Sequence, residues 1–326
     1  MSVHPRLAGR SCYHKYEVEP GLFTPGQFLE VSPKLCLDEL GVPQSLSGLR
    51  ALDIGAFDGP FTFELERRGA QVTALDIQDP DITAFNAVKK IKNSSVNYVR
   101  GSVYEASPET LGVYDIVLFA GVYYHLKNPV LAVQRVRTLL NDRGVLFIEG
   151  TSATDYLAEQ LSNELGLPRS RMRTITQILD RLPLSYFDFE DRIYGPWEVP
   201  GTRSGDCAPQ LRSGQNWWFP TTRCLEMILL DSGFCNVCCK LELNAIYNYT
   251  HRRLMGRAAV DPAKSDPGNQ KHENWVAEQD FPILNELVTG PPRSATGAAA
   301  RRLLWKLPPG LQRAARRVRR TLQPSS

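Results

Sequence analysis

The chain of 326 residues contains no run of about 18 consecutive apolar residues, so no bilayer-spanning helix is expected. Its opening, MSVHPRLAGRSCYHKYEVEP, lacks the apolar core of a secretory leader. Its seven cysteines form one cluster, Cys235, Cys238 and Cys239, with no second pair and no nearby histidine to complete a zinc site. The surrounding stretch, 234–243, has strand character, so buried thiols, no metal and a reducing cytoplasmic compartment are expected. Acid is missing after Glu286, where nine arginines and lysines follow. The formal net charge of +3 therefore conceals a body with 29 basic against 35 acidic residues. Such a body has no general attraction for polyanions, although a local basic patch stays open. No internal repeat is visible.

One further absence is more informative. Residues 49–76 read LRALDIGAFDGPFTFELERRGAQVTALD. An apolar run ends in Gly55-Ala56-Phe57-Asp58-Gly59, a helix-like stretch follows, and a second apolar run ends in Asp76. Strand, glycine turn, helix, strand and acid form the layout of a nucleoside-binding βαβ unit. Gly55 and Gly59 permit a tight turn and close approach of a ligand. A carboxylate at Asp76 can accept from two ribose hydroxyls. The second glycine of the dinucleotide fingerprint, which admits a pyrophosphate, is missing, because position 57 is Phe. Asp53 and Asp58 beside the turn would repel a diphosphate and welcome a cation. S-adenosylmethionine fits: an adenosine without phosphate, carrying a sulfonium and an amino group. The plainer alternative is a βαβ unit that binds nothing, with Asp58 as helix N-cap before Pro60. That alternative leaves Asp53, Gly55, Gly59 and Asp76 unexplained as a set.

Hydrophobic content of 42% supports a full core. Strands are expected at about 50–54, 71–76, 96–100, 114–120 and 145–148, alternating with helices at about 60–69, 80–91 and 129–140. A further helix is expected at 33–40. The alternation implies an α/β fold: a Rossmann-like, doubly wound, mainly parallel sheet of seven strands. The expected layout is an N-terminal cap segment at 1–45 and a main domain at 46–255. Within the domain, residues 151–215 are polar, punctuated by Pro and Gly and scattered with aromatics. That length is excessive for a plain connection, so an inserted substrate-side cap with its own helices, such as 172–182, is expected. A helix at 221–232 and strands at 234–242 and 244–250 follow. Residues 256–326 are expected to be a linker and a basic amphipathic tail. In the tail, Leu311, Ala315, Val318 and Leu322 share one helical face and arginines take the others. Such a helix suits an anionic membrane surface or nucleic acid, and equally a solvated terminus.

Several segments resemble a known family. LDIGAFDGPFTFE, the acid Asp76 in ALDI, and DIVLFAGVYYHLKNP are similar to class I S-adenosylmethionine-dependent methyltransferases. More narrowly, Gly121-Val122-Tyr123-Tyr124-His125 followed by Pro129 resembles the G-V-L-Y-H strand end of the tRNA wobble-uridine 5-carboxymethoxy methyltransferases. Tyr13-His14, Phe23-Thr24-Pro25-Gly26, Asn216-Trp217-Trp218-Phe219-Pro220-Thr221 and His251-Arg252-Arg253 resemble further motifs of that branch. The match covers about 12–256. The branch's Lys- and Trp-containing segment, which recognises a carboxylated cofactor, has no counterpart in residues 1–45. A carboxylated cofactor would leave a charge unpaired in a partly buried site, so unmodified S-adenosylmethionine is expected.

The resemblance implies that Gly55, Ala56 and Gly59, with Asp53 and Asp58, line the cofactor's amino-acid end. Asp76 would hold the ribose, Ile77 beside it would be a further cofactor-binding residue, and Ser102-Val103 would flank the adenine. Ala120 to Tyr124 would end the fourth strand at the ligand edge, with Tyr124 meeting cofactor or acceptor. His125 is the first candidate base and His14 the second, because imidazole titrates near neutral pH. Both Tyr124 and His125 have packing or backbone-bonding alternatives. Tyr13, Trp217 and Trp218 would wall the acceptor, and the tryptophans fit a core role as well. Arg252 and Arg253 would take an acidic acceptor group or pair with surface carboxylates. The expected activity is methyl transfer to a small-molecule or glycan acceptor, at oxygen. The alternative is tRNA wobble-uridine modification.

Overall fold

A computed structural model describes residues 2–10, 12–26, 29–187, 216–242 and 252–260. The second strand expected at 244–250 and the tail beyond 260 lie outside these residues. Along the chain come α1 (Pro33–Leu40), β1 (Arg50–Ile54), α2 (Pro60–Arg67), β2 (Gln71–Asp76), α3 (Phe85–Ile91) and β3 (Asn97–Arg100). Then follow α4 (Pro108–Leu111), β4 (Tyr114–Ala120), α5 (Pro129–Thr138), β5 (Leu140–Thr151), α6 (Thr154–Leu165) and α7 (Met172–Asp180). α8 (Thr222–Asp231), β6 (Phe234–Glu242) and β7 (Arg253–Val260) complete the set.

The sequence marks many of these boundaries chemically. Ser32, Asn128 and Thr221 each accept a backbone N–H from the first turn of α1, α5 and α8. Prolines open α1, α2 and α5, where a missing N–H costs nothing. Gly41, in the left-handed region at φ 80°, closes α1.

Seven strands form one sheet in the order β6-β7-β5-β4-β1-β2-β3. β5, β4, β1, β2 and β3 run parallel. β7 lies antiparallel between β5 and β6. The fold is therefore the expected Rossmann-like α/β architecture. β4, in the middle, is buried on both faces. Ile116, Leu118 and Ala120 join one core, with Leu37, Phe63 and Phe85, while Val117 and Phe119 join the other, with Val133, Val136 and Leu225. β1 and β4 are neighbours although their sequence order reverses there. This is a topological switch point, the place where open α/β sheets bind ligands at the carboxyl ends of their strands.

Two expectations about extent change. β7 reaches Val260, five residues past the expected domain end at 255, and it pairs on both sides. β5 begins at Leu140, five residues before the strand expected at 145–148, with a register shift against β4 between Leu140 and Val145. The cysteine cluster also differs from the buried group expected. β6 is an edge strand, its inner and outer faces alternate, Cys238 is exposed, and Cys235 and Cys239 are only half-buried.

Two additions frame the sheet. Residues 2–26 make short paired strands that set Leu7, Tyr16 and Val18 into the same core as α1 and α2. Arg68 pins this side: its buried guanidinium donates to the backbone carbonyls of Val42 (2.7 Å) and Lys34 (3.0 Å) and to Glu64 and Asp38. After β5, α6 and α7 bury their own small core of Leu157, Leu161, Ile175, Leu179 and Phe219. The strands Ser185–Phe187 and Trp218–Pro220 pair antiparallel beside it.

Candidate active site

The carboxyl edge at this switch point is organised around the turn after β1. Gly55 takes φ 81° and its N–H donates to the Leu75 carbonyl at 2.8 Å. A Cβ there would lie 2.2 Å from Val122 Cγ2, so glycine is required by contact with the segment after β4. Gly59, at φ 89°, faces Phe63 and Phe85 in the helix layer. The tight turn expected of these glycines is present, and each also lets protein pack closely against the turn.

Phe57 adopts φ 47°, a left-handed conformation uncommon for a bulky residue. This aims its N–H at Asp76 Oδ2, 2.8 Å away, while the Gln78 N–H reaches Oδ1 at 2.8 Å. Asp76 therefore ties the end of β2 to the turn after β1. Its carboxyl is held above the ordinary range, first by burial, with the backbone donors opposing. Asp53 is 2% exposed and accepts from Thr62 Oγ1 at 2.5 Å. Burial pushes it up to about 7, with Asp76 adding to the rise and Thr62 and His14 opposing it.

Asp58 does not cap α2. Gly59 is the N-cap residue and makes no side-chain cap bond. Asp58 is fully buried and instead accepts from the His14 backbone N–H at 2.8 Å and from His14 Nδ1. The Tyr16 hydroxyl donates to the Asp58 carbonyl at 2.6 Å. Tyr13 packs edge-on against His14, at 4.7 Å between ring centroids, and against Phe57, at 5.8 Å. The N-terminal motif thus sits on the glycine turn, a contact that no local pattern in either segment announces.

Beyond Asp76, Ile77 is 64% exposed at the carboxyl edge. The Gly101 N–H donates to the Asp76 carbonyl, which brings Ser102 beside β2; Val103 is buried. Ala120 ends β4, and the Gly121 N–H donates to the Glu149 carbonyl at 2.9 Å. Tyr124 is buried in a helical turn at Tyr123–His125, with the His125 ring 4.2 Å from its own. The Arg253 guanidinium lies 5.3 Å from the Tyr124 ring centroid. The Trp217 N–H donates to the Tyr124 carbonyl at 2.5 Å, and Lys127 Nζ sits 4.7 Å from the Trp217 ring centroid. Trp218 is 2% exposed and meets Tyr123 edge-on at 5.5 Å, the core alternative of the two that its sequence allowed.

The two arginines are engaged by protein carboxylates. Arg252 grips Asp155 at the start of α6 through its backbone N–H, Nε and Nη2, the shortest contact being 2.6 Å. Arg253 forms a two-point pair with Glu149, at 2.5 and 3.0 Å, with both side chains 3% exposed. Glu149 was missed from the sequence. Its only signal was an acid inside the otherwise apolar run VLFIEG at the ligand edge of a strand.

Residues 52–148 match the family model described as "Methyltransferase domain". Among curated relatives, a ubiquinone biosynthesis O-methyltransferase of Xanthomonas campestris pv. campestris is 29% identical over 119 residues, 36% of this chain and 49% of that protein. One of the same name from Nitrosococcus oceani is 26% identical over 156 residues, 47% and 65% of the two chains. The chain thus spans about half the length of the curated relatives it matches first. The solved N-terminal domain of EvdMO1 with SAH bound superposes with a TM-score of 0.47 at 16% identity, covering 78% of this chain and 92% of that one. The two curated relatives carry a ubiquinone name, whereas the Gly121–His125 motif resembled a tRNA-modifying branch.

Proposed function

We propose that the protein is an S-adenosylmethionine-dependent methyltransferase acting on a small hydroxylated acceptor, at oxygen. The carrying observation is the lock between Asp76 and the turn after β1. Each carboxylate oxygen accepts one backbone N–H and keeps a lone pair for a ribose hydroxyl. The exposed Ile77 beside it offers an apolar face to adenine, and Ser102 and Val103 border the same edge. Asp53, Asp58 and Asp76 are all buried around the turn, a charge set that suits a cationic nucleoside better than a diphosphate. In this reading Gly55, Ala56 and Gly59 shape the methionyl end, and Ala120 and Tyr124 floor the reaction crevice at the switch point.

The acceptor class rests on the other bank. Tyr13, Tyr124, His125 and Trp217 supply aromatic walls, and the helices after β5 act as the substrate-side cap. Arg252 and Arg253 already serve Asp155 and Glu149, so the acceptor needs no acidic group to satisfy them. The O-methyltransferase names of the relatives favour oxygen as the receiving atom.

Calorimetric titration with S-adenosylmethionine tests the donor half. Wild type should bind, and Asp76→Ala should lose on the order of tenfold or more of the affinity, the worth of a charge-assisted hydrogen bond. Equal affinity in both proteins removes the assignment. Tritiated methyl from the donor, offered to small-molecule and RNA fractions of a cell extract, tests the acceptor half. Label in RNA overturns the small-molecule reading.

A further inference from the structure

We infer that His14, carried by the N-terminal segment, is the general base of the transfer, held in its basic tautomer by Asp58. This rests on the methyltransferase reading above. A carboxylate only accepts hydrogen bonds, and Asp58 takes both the His14 backbone N–H and the ring Nδ1. Nδ1 therefore carries a proton, and in the neutral ring Nε2 is the nitrogen that holds the lone pair. Among the described residues no protein group hydrogen-bonds Nε2. The arrangement has the logic of a histidine–carboxylate dyad, in which a buried acid fixes the ring and stabilises the imidazolium once it forms.

The surroundings hold the ring in place rather than leave it to a mobile terminus. Thr24 Oγ1 donates to the His14 carbonyl at 2.5 Å and accepts the Tyr16 N–H at 3.0 Å. The Tyr16 phenol, kept protonated by burial and then by the Asp58 charge, donates to the Asp58 backbone. Gly26 runs against the same carbonyl, and a Cβ there would lie 2.1 Å from the His14 carbonyl carbon. The T-P-G element of the sequence thus has a physical purpose: it clamps His14 to the turn. That turn also touches Val122 through Gly55, two residues before Tyr124. One turn therefore touches both His14, through Asp58, and the segment after β4, through Gly55.

In the step, the acceptor O–H gives its proton to His14 Nε2. The oxygen lone pair forms the bond to the methyl carbon, and the sulfur–methyl bond breaks with its electron pair passing to sulfur. The products are the methyl ether, neutral S-adenosylhomocysteine and an imidazolium beside Asp58, which then loses its proton to solvent.

The test uses the full chain labelled with 15N-histidine, saturated with S-adenosylhomocysteine, with His14 assigned through His14→Gln. The expected spectrum shows protonated Nδ1 and unprotonated Nε2, and Asp58→Asn redistributes the tautomers. A proton on Nε2 in wild type overturns the inference. His14→Gln should bind S-adenosylmethionine within about twofold of wild type yet transfer methyl to the labelled acceptor at least ~100-fold more slowly, in kcat rather than KM. Its pH–rate profile should also lose the limb that marks the base. Unchanged kcat makes the pair a structural clamp only and overturns the inference. No donor binding by wild type would instead remove the methyltransferase reading beneath it.

Discussion

Asp53 is the residue at which charge and burial meet. Its carboxyl titrates near 3.8 when solvated and at about 7 in the fold, because burial penalises the anion. Across that interval the native state binds more protons than the unfolded chain. Stability contributed by the neutral form is therefore full at low pH and declines as pH rises towards 7, levelling off above it. Asp53→Asn lacks this proton. The stability of wild type relative to the variant should fall by on the order of 2–4 kcal/mol between about pH 4 and about pH 7.5. Urea unfolding of both proteins along that range measures it; parallel curves would show that Asp53 is ionised throughout. Asp53 also marks how far residues were legible in the sequence. It was marked as a site residue from its place beside the turn, and that place holds. That its partner is Thr62, nine positions on, follows from α2 folding back over β1. Asp58 shows the opposite case. The local pattern offered a helix cap as the plainer alternative, but its partner His14 lies 44 residues away, and no periodicity encodes such a contact.

Among elements, those with strong local signals were legible. α2 opens at Pro60 after a glycine, β4 is apolar after its first two residues, and α5 begins at Asn128-Pro129. β7 was not, because Arg253-Leu-Met-Gly-Arg-Ala-Ala-Val carries two arginines and a glycine and reads as polar linker. The sheet accommodates those charges at specific places. Arg253 is neutralised by Glu149, and Arg257 stands at the one exposed position of the strand. The Glu149–Arg253 pair crosses from β5 to β7, so its energetics belong to the pairing of the two strands. Removing one partner strands a buried charge. Glu149→Gln should destabilise by about 3–5 kcal/mol, whereas the double variant Glu149→Leu, Arg253→Met should recover most of that loss. Thermal and urea unfolding of the single and double variants checks this. A double variant no better than the single would mean that packing around Tyr124, not charge, sets the cost.

For the molecule as a whole, the boundary of the folded unit follows from β7. Gly256 to Ala259 pair with Val145 to Ile148 on one side. Gly256, Arg257, Ala259 and Val260 pair with Cys239, Cys238, Cys235 and Phe234 on the other. A chain ending at residue 255 would lose this ladder and expose the edges of β5 and β6 together, with Ala258 and Val260 removed from the core beneath α5 and α8. A chain ending at residue 262 keeps every strand of the seven-stranded sheet and every residue around the turn. The longer of the two should unfold cooperatively and bind S-adenosylmethionine with the affinity of the full chain. The shorter should fail to give a cooperative transition, because an unpaired β6 cannot hold the core face to which Phe234 and Leu241 belong. Circular dichroism melts and calorimetry on the two chains decide the matter. Equal melts would mean that β5 closes the sheet without β7. A weakened donor site in the longer chain would assign the segment beyond 262, with its many arginines, a part in donor binding.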